Sequence, residues 1–218
     1  MEWLTSFADL VLHLDKHLLF FVQQYGDWVY ALLFAIIFTE TGVVVAPFLP
    51  GDSLLFVAGA LCVTEGMSLP LLIVLLVVAA ILGDAVNYSV GRWFGDALIN
   101  RTRLISPEKL QYTQHFFEKH GPKTIVIARF LPIVRTMAPF VAGFSGMQAK
   151  RFLTYNVTGG VLWVVSLTVA GYLFGNIPLV KNNLTAVILL IIFLSILPGI
   201  IAYLKARGAG KTEKRAGN

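Results

Sequence analysis

Six apolar runs, at roughly 28–48, 53–63, 69–91, 123–145, 152–175 and 183–204, leave little of this 218-residue chain for water. A helix crossing a hydrocarbon core about 30 Å thick needs about 20 apolar residues, because each adds about 1.5 Å. Runs 69–91, 152–175 and 183–204 meet that length. Charged residues make up 13% of the chain, against about 25% in soluble domains. The chain reads as an all-α polytopic membrane protein with a single membrane domain over 28–204.

Two stretches are apolar but broken. Run 53–63 reaches only about half way across a bilayer. It follows Glu40 and the segment TGVVVAPFLPGDS, so 28–63 is expected to enter and leave on one side, with the break at Pro47, Pro50 and Gly51; the alternative is a span followed by a surface turn and a buried short helix. Run 123–145 holds Pro132 and Pro139 beside Arg129 and Arg135. Proline removes a backbone donor and clashes with the preceding turn. Such a run fits a re-entrant hairpin whose turn is shielded by protein or lines a wet cavity. Gly42, Gly51, Gly59 and Gly143 are expected to serve close packing or positive φ at these breaks.

Basic residues set the expected orientation. Lys205, Arg207, Lys211, Lys214 and Arg215 put the tail, 205–218, in the cytoplasm. Arg92, Arg101, Arg103, Lys109, Lys119 and Lys123 do the same for the central loop, and Lys150 and Arg151 for the start of the 152–175 span. These thirteen of seventeen basic residues share one side only if 123–145 opens inward and 28–63 outward. Residues 1–27, with Glu2, Asp9, Asp15, Lys16 and Asp27, read as an amphipathic interfacial helix and not as a secretory signal. Within the central loop, Ser106 as N-cap, Pro107, Glu108 and the stop Gly121-Pro122 define a helix over 106–120.

The halves also resemble each other. Phe48-Leu49-Pro50 precedes Phe56-Val57-Ala58-Gly59, and Phe130-Leu131-Pro132 precedes Phe140-Val141-Ala142-Gly143. Gly91-Arg92-Trp93-Phe94-Gly95 and Gly171-Tyr172-Leu173-Phe174-Gly175 then end the two following spans. A hairpin plus a span, repeated with opposite openings, is the inverted-repeat plan of many secondary transporters. A further span, 183–204, follows.

An ionised side chain inside a bilayer costs about 2.5–3.5 kcal/mol on insertion scales and usually has a partner or a task. Glu40 and Asp52 lie on the first hairpin, Arg129 and Arg135 on the second. If the tips meet, two carboxylates face two guanidiniums, either as structural bridges or as a site. Guanidinium forks match phosphate oxygens, so the arginines are candidate lipid-phosphate ligands and the acids candidate proton or gating groups. Asp84 and Asn87, one turn apart on the 69–91 span, are either a packing pair or part of the pathway; Asn156 is a weaker candidate. Enzyme signatures are missing: His13, His17, His115 and His120 lie outside the apolar runs without a zinc-binding pattern, and Cys62 has no companion. No cofactor, metal or nucleic-acid partner is expected. Two rival readings remain, a proton- or sodium-coupled exporter of small cations and a non-transporting envelope-assembly scaffold.

The motifs E40-T-G-x5-F-L-P-G-D-S53, G83-D-A-x-N-Y-x-x-G-R-x-F-G95 and A128-R-F-x-P-x-V-R135 through A138-P-F-V-A-G143 resemble those of the DedA family of bacterial inner-membrane proteins. Tyr155-Asn156 and Ile196-Leu-Pro-Gly199 fit as well. The resemblance implies return of undecaprenyl phosphate, the polyprenyl phosphate carrier of cell-wall synthesis, across the cytoplasmic membrane. It assigns the family's acidic pair to Glu40 and Asp52 and its basic pair to Arg129 and Arg135. Protons or sodium are candidate coupling ions, membrane lipids the surroundings, and a homo-oligomer a compatible state.

Overall fold

The computed structural model describes residues 14–43, 51–101, 107–175, 177–181 and the positions 186, 187, 189, 190 and 193. Pro47, Pro50, Ser106, most of 183–204 and the basic tail lie outside the described residues. So does the first part of the expected N-terminal helix.

All elements among the described residues are helical. They are α1 (Leu14–Tyr25), α2 (Trp28–Gly42), α3 (Gly51–Thr64), α4 (Leu69–Arg101), α5 (Pro107–His120), a 3-10 turn (Gly121–Lys123), α6 (Thr124–Ala128), α7 (Pro132–Phe144), α8 (Ala149–Phe174) and α9 (Pro178–Lys181). Two of them, over Leu69–Gly95 and Ala149–Phe174, are long and apolar enough to cross a bilayer. The 15-residue α2 and 14-residue α3 rise only about 20 Å each. Pro132 opens α7, where its missing N–H costs nothing, and Leu131 before it is extended. Gly121 (φ +60) and Gly146 (φ +73) supply the left-handed turns after α5 and α7.

The long helices are apolar outside and partly polar inside. On α4, Leu71, Val74, Val78, Leu82 and Val86 are exposed, while Asp84 and Asn87 are buried. On α8, Leu153, Val157 and Val161 are exposed, while Asn156 and Thr168 are buried. A water-soluble bundle places these classes the other way round. The pattern fits a protein whose outer solvent is hydrocarbon.

Packing between the halves is crossed. α3 lies against α8, and α7 against α4. In the first pair, Gly59 abuts the Thr168 backbone and Gly171 abuts the Phe56 carbonyl. In the second, Gly143 abuts the Tyr88 carbonyl and Gly91 abuts the Phe140 carbonyl. Gly175 meets Ala60 and Gly95 meets Phe144, the residues that follow the two FVAG boxes. Both boxes thus serve one purpose, backbone-to-backbone approach, and each is met by the glycines of the other half's long helix. α1 packs Leu18 into the core beside α2 and α3.

Two expectations need correction. The first long helix does not end at Gly91 but continues to Arg101, and the second begins at Ala149. Gly91 is helical and makes room for a neighbour; a glycine stops a helix through positive φ, and Gly91 has none. Pro139 lies inside continuous α7 and breaks nothing; the break falls at Arg129–Leu131, ahead of Pro132. Of the two roles expected for glycine, Gly51, Gly59 and Gly143 take close packing, since positive φ occurs only at Gly26, Gly66, Gly121 and Gly146 among the described glycines.

Gly91→Val and Gly171→Val each force side-chain atoms into a facing backbone. Each should cost at least about 1–3 kcal/mol. Thermal unfolding in detergent should show a lowered midpoint for both, whereas Val161→Ala on the outer face should stay within about 0.5 kcal/mol of the parent.

Candidate functional site: a buried charge cluster at the two breaks

Arg135, on the first turns of α7, is buried and forked between two acids. Its Nη1 donates to Asp52 Oδ1 at 2.7 Å, and its Nη2 donates to Glu40 Oε1. Glu40 sits near the end of α2, 1% exposed. Its carboxylate presses on Gly51, the first residue of α3, where any Cβ would collide with it. Asp52 lies in the first turn of α3, where the helix's free amides favour negative charge. The side chain of one helix thus closes both ends of the first break.

Arg129, just after α6, is 2% exposed and has different partners. Its Nη2 donates to Asp84 Oδ2 and to Asn156 Oδ1, both at 2.5 Å. Asn156 Nδ2 in turn donates to the Ile81 carbonyl at 3.0 Å. The Nε and Nη1 groups of Arg129 have no hydrogen-bond partner among the described residues. Gly159 and Gly160 of α8 leave the space its side chain fills: a Cβ on Gly159 would stand 3.3 Å from Cδ and Nε.

Two further side chains join these groups. Trp163 of α8, 1% exposed, donates from Nε1 to Asp52 Oδ1 at 2.9 Å. Its ring lies 5.1 Å from Arg135 Cζ and 5.8 Å from Arg129 Cζ. Desolvated cation–π contacts of this kind contribute about 2 kcal/mol. Asn87 donates to the Thr41 carbonyl at 3.2 Å and to the Thr136 carbonyl at 3.0 Å, linking α2 to α7 through α4.

All five charged candidates are therefore brought together, but the pairing differs from the expected one. Arg135 takes both acids of the first hairpin, and Arg129 turns to Asp84 on the long helix. Asp84 is a counter-ion and not a bystander. Sequence reasoning missed Trp163 and the diglycine at 159–160. A pair of glycines inside a long helix was the available signal, since it marks where a bulky side chain enters. His115 remains on the surface of α5, 3.5 Å from Glu118. No group of three His, Cys, Asp or Glu suited to a metal occurs among the described residues.

A family model described as the VTT domain matches residues 49–173, a stretch that contains every member of the cluster except Glu40. The E. coli K12 protein DedA is 51% identical over 98% of this chain and all of its own length. The chain belongs to the DedA family. Its relatives include the inner membrane protein YqjA of E. coli K12, 40% identical over 82% of this chain and 81% of YqjA. An uncharacterized membrane protein of Mycobacterium leprae is 42% identical over 84% of this chain and 85% of that protein. No solved structure matches the chain. These relatives and the apolar helices make this a membrane protein of the DedA family.

Asp84→Leu leaves the Arg129 charge buried without a counter-ion. It should destabilise the detergent-solubilised protein by about 3–5 kcal/mol. Adding Arg129→Met to the same chain should recover most of that loss, and a double-mutant cycle on the unfolding midpoints checks it.

Proposed function

We propose that this protein translocates a lipid phosphate, undecaprenyl phosphate by its family membership, across the cytoplasmic membrane for envelope recycling. One observation carries the reading: a fully buried Arg129 keeps two guanidinium donors unused inside an apolar-faced bundle. Buried donors without acceptors are costly, and an anion supplies acceptors. Phosphate oxygens suit guanidinium, and the apolar tail can stay in the bilayer while the headgroup crosses.

The two arginines then have different parts. Arg129 offers its free donors to the phosphate first. Arg135, already held by Glu40 and Asp52, is the latch that opens when phosphate or a proton competes for its partners. Three carboxylates face two guanidiniums, so the fully ionised cluster carries one excess negative charge. A coupling proton or sodium ion would balance it, and the same excess favours the rival reading of a small-cation exporter. The short α2, α3 and α7 and the distribution of basic residues support an outward-opening first hairpin, an inward-opening second one and a cytoplasmic C-terminus. The crossed glycine contacts support an inverted repeat.

In vesicles reconstituted with the purified chain, Arg129→Gln should slow polyprenyl phosphate translocation at least about tenfold, corresponding to the loss of about 1.4 kcal/mol or more of binding. Wild-type rates in that variant, together with cation export that needs Glu40, would favour the exporter instead. Glu40→Gln should remove the pH dependence of translocation; a rate that still varies with pH as in the parent would rule out Glu40 as the proton site. For topology, Val43→Cys and Phe130→Cys in a Cys62→Ser chain should react with impermeant maleimide from opposite sides. Labelling of both from one side would break the opposed-hairpin arrangement.

A further inference from the structure

Trp163 is the largest of the fully buried side chains, and its size alone would make it a core residue. Its neighbours say more. Its indole N–H reaches Asp52 Oδ1, the same oxygen that accepts from Arg135 Nη1. Its ring lies beneath both guanidiniums, so one residue on α8 touches both ion-pair groups. Arg135 is held by acids of α2 and α3, and Arg129 by side chains of α4 and α8.

The two kinds of contact use different parts of a guanidinium. Phosphate and carboxylate oxygens take the N–H groups in the guanidinium plane. An aromatic ring attracts the cation itself. A ring can therefore hold an arginine while its in-plane acceptors are exchanged. The indole N–H likewise stays on Asp52, a partly buried carboxylate, when Arg135 lets go, so that oxygen keeps a donor during the exchange.

We propose that Trp163 is a positioning residue for translocation, keeping Asp52 and both arginines in place while phosphate replaces the carboxylates on the guanidiniums. The idea rests on the lipid-phosphate reading above. With Trp3, Trp28 and Trp93 changed to Phe, Trp163 is the sole indole of the full chain. Its emission should change saturably on titration with farnesyl phosphate, and not with farnesol. Inorganic phosphate separates headgroup binding from tail binding: a response to it too would locate recognition in the phosphate alone. In reconstituted vesicles, Trp163→Phe keeps a ring and loses the donor; Trp163→Leu loses both. Maximal translocation rates, corrected for folded protein, should fall in the order Trp, Phe, Leu, with Phe at least about fivefold down and its half-saturating lipid concentration within about threefold of the parent.

Either of two results overturns the role: a wild-type maximal rate in Trp163→Phe, or Trp163 emission that stays constant at farnesyl phosphate concentrations that block translocation. Should the Phe variant fail to fold, the emission titration, made on the native Trp163, still decides. If the parent chain neither binds farnesyl phosphate nor moves polyprenyl phosphate, the lipid-phosphate reading itself falls. If it does both while Trp163 stays silent, only the positioning role falls.

Discussion

Two guanidiniums are buried in a bundle whose outer faces are apolar, and this sets terms for the rest of the molecule. Neither can lose its charge, so each must find carboxylates inside the bundle. The carboxylates come from other elements: Glu40 from α2, Asp52 from α3, Asp84 from α4. Each ion pair of the cluster is therefore also a tie between separate elements. The apolar contacts between them provide little orientation of their own, because hydrocarbon outside is as favourable to a leucine as hydrocarbon inside. Glycine notches settle how closely the helices approach, and the charges settle which faces meet.

The charges also gather at helix ends. Glu40 lies near the end of α2 and Asp52 in the first turn of α3, and Arg129 and Arg135 flank the break before α7. Irregular backbone is tolerated at membrane depth only when protein or a wet cavity shields it. Under the proposed function this placement has a use, because the bonds that hold the broken segments closed are the ones an anion would replace. Ligand recognition and opening then draw on the same hydrogen bonds, and a substrate that could not pair with guanidinium would not loosen the structure.

Much of this was legible from residues alone. Apolar run length located both long helices, and Pro132 located the break before α7 to within a few residues; Pro47 and Pro50 lie outside the described residues. The FVAG and glycine boxes announced two like surfaces, though not that each would pack on the other half. Charge inside apolar runs picked out Glu40, Asp52, Arg129 and Arg135. Their pairing was not legible, since nothing in one dimension tells Arg129 that Asp84 is nearer than Glu40. Trp163 was invisible for a related reason: a tryptophan in an apolar run looks like any other core residue until its N–H is seen to have an acceptor. The end of the 69–91 run marked where the apolar stretch stops and not where the helix does, because a helix can run on into polar residues.

The crossed packing of the halves bears on how the chain is built. Gly59 and Asp52 belong to a segment made early, yet their partners Thr168 and Trp163 are more than a hundred residues further on. As the chain leaves the ribosome, the early half enters the bilayer with an open notch and an acid whose Arg135 and Trp163 donors do not yet exist. Only when α8 has been synthesised can that half close. Truncation anywhere before residue 171 would therefore leave not a smaller working unit but an unfinished one, with carboxylates facing lipid, a substrate for membrane quality control.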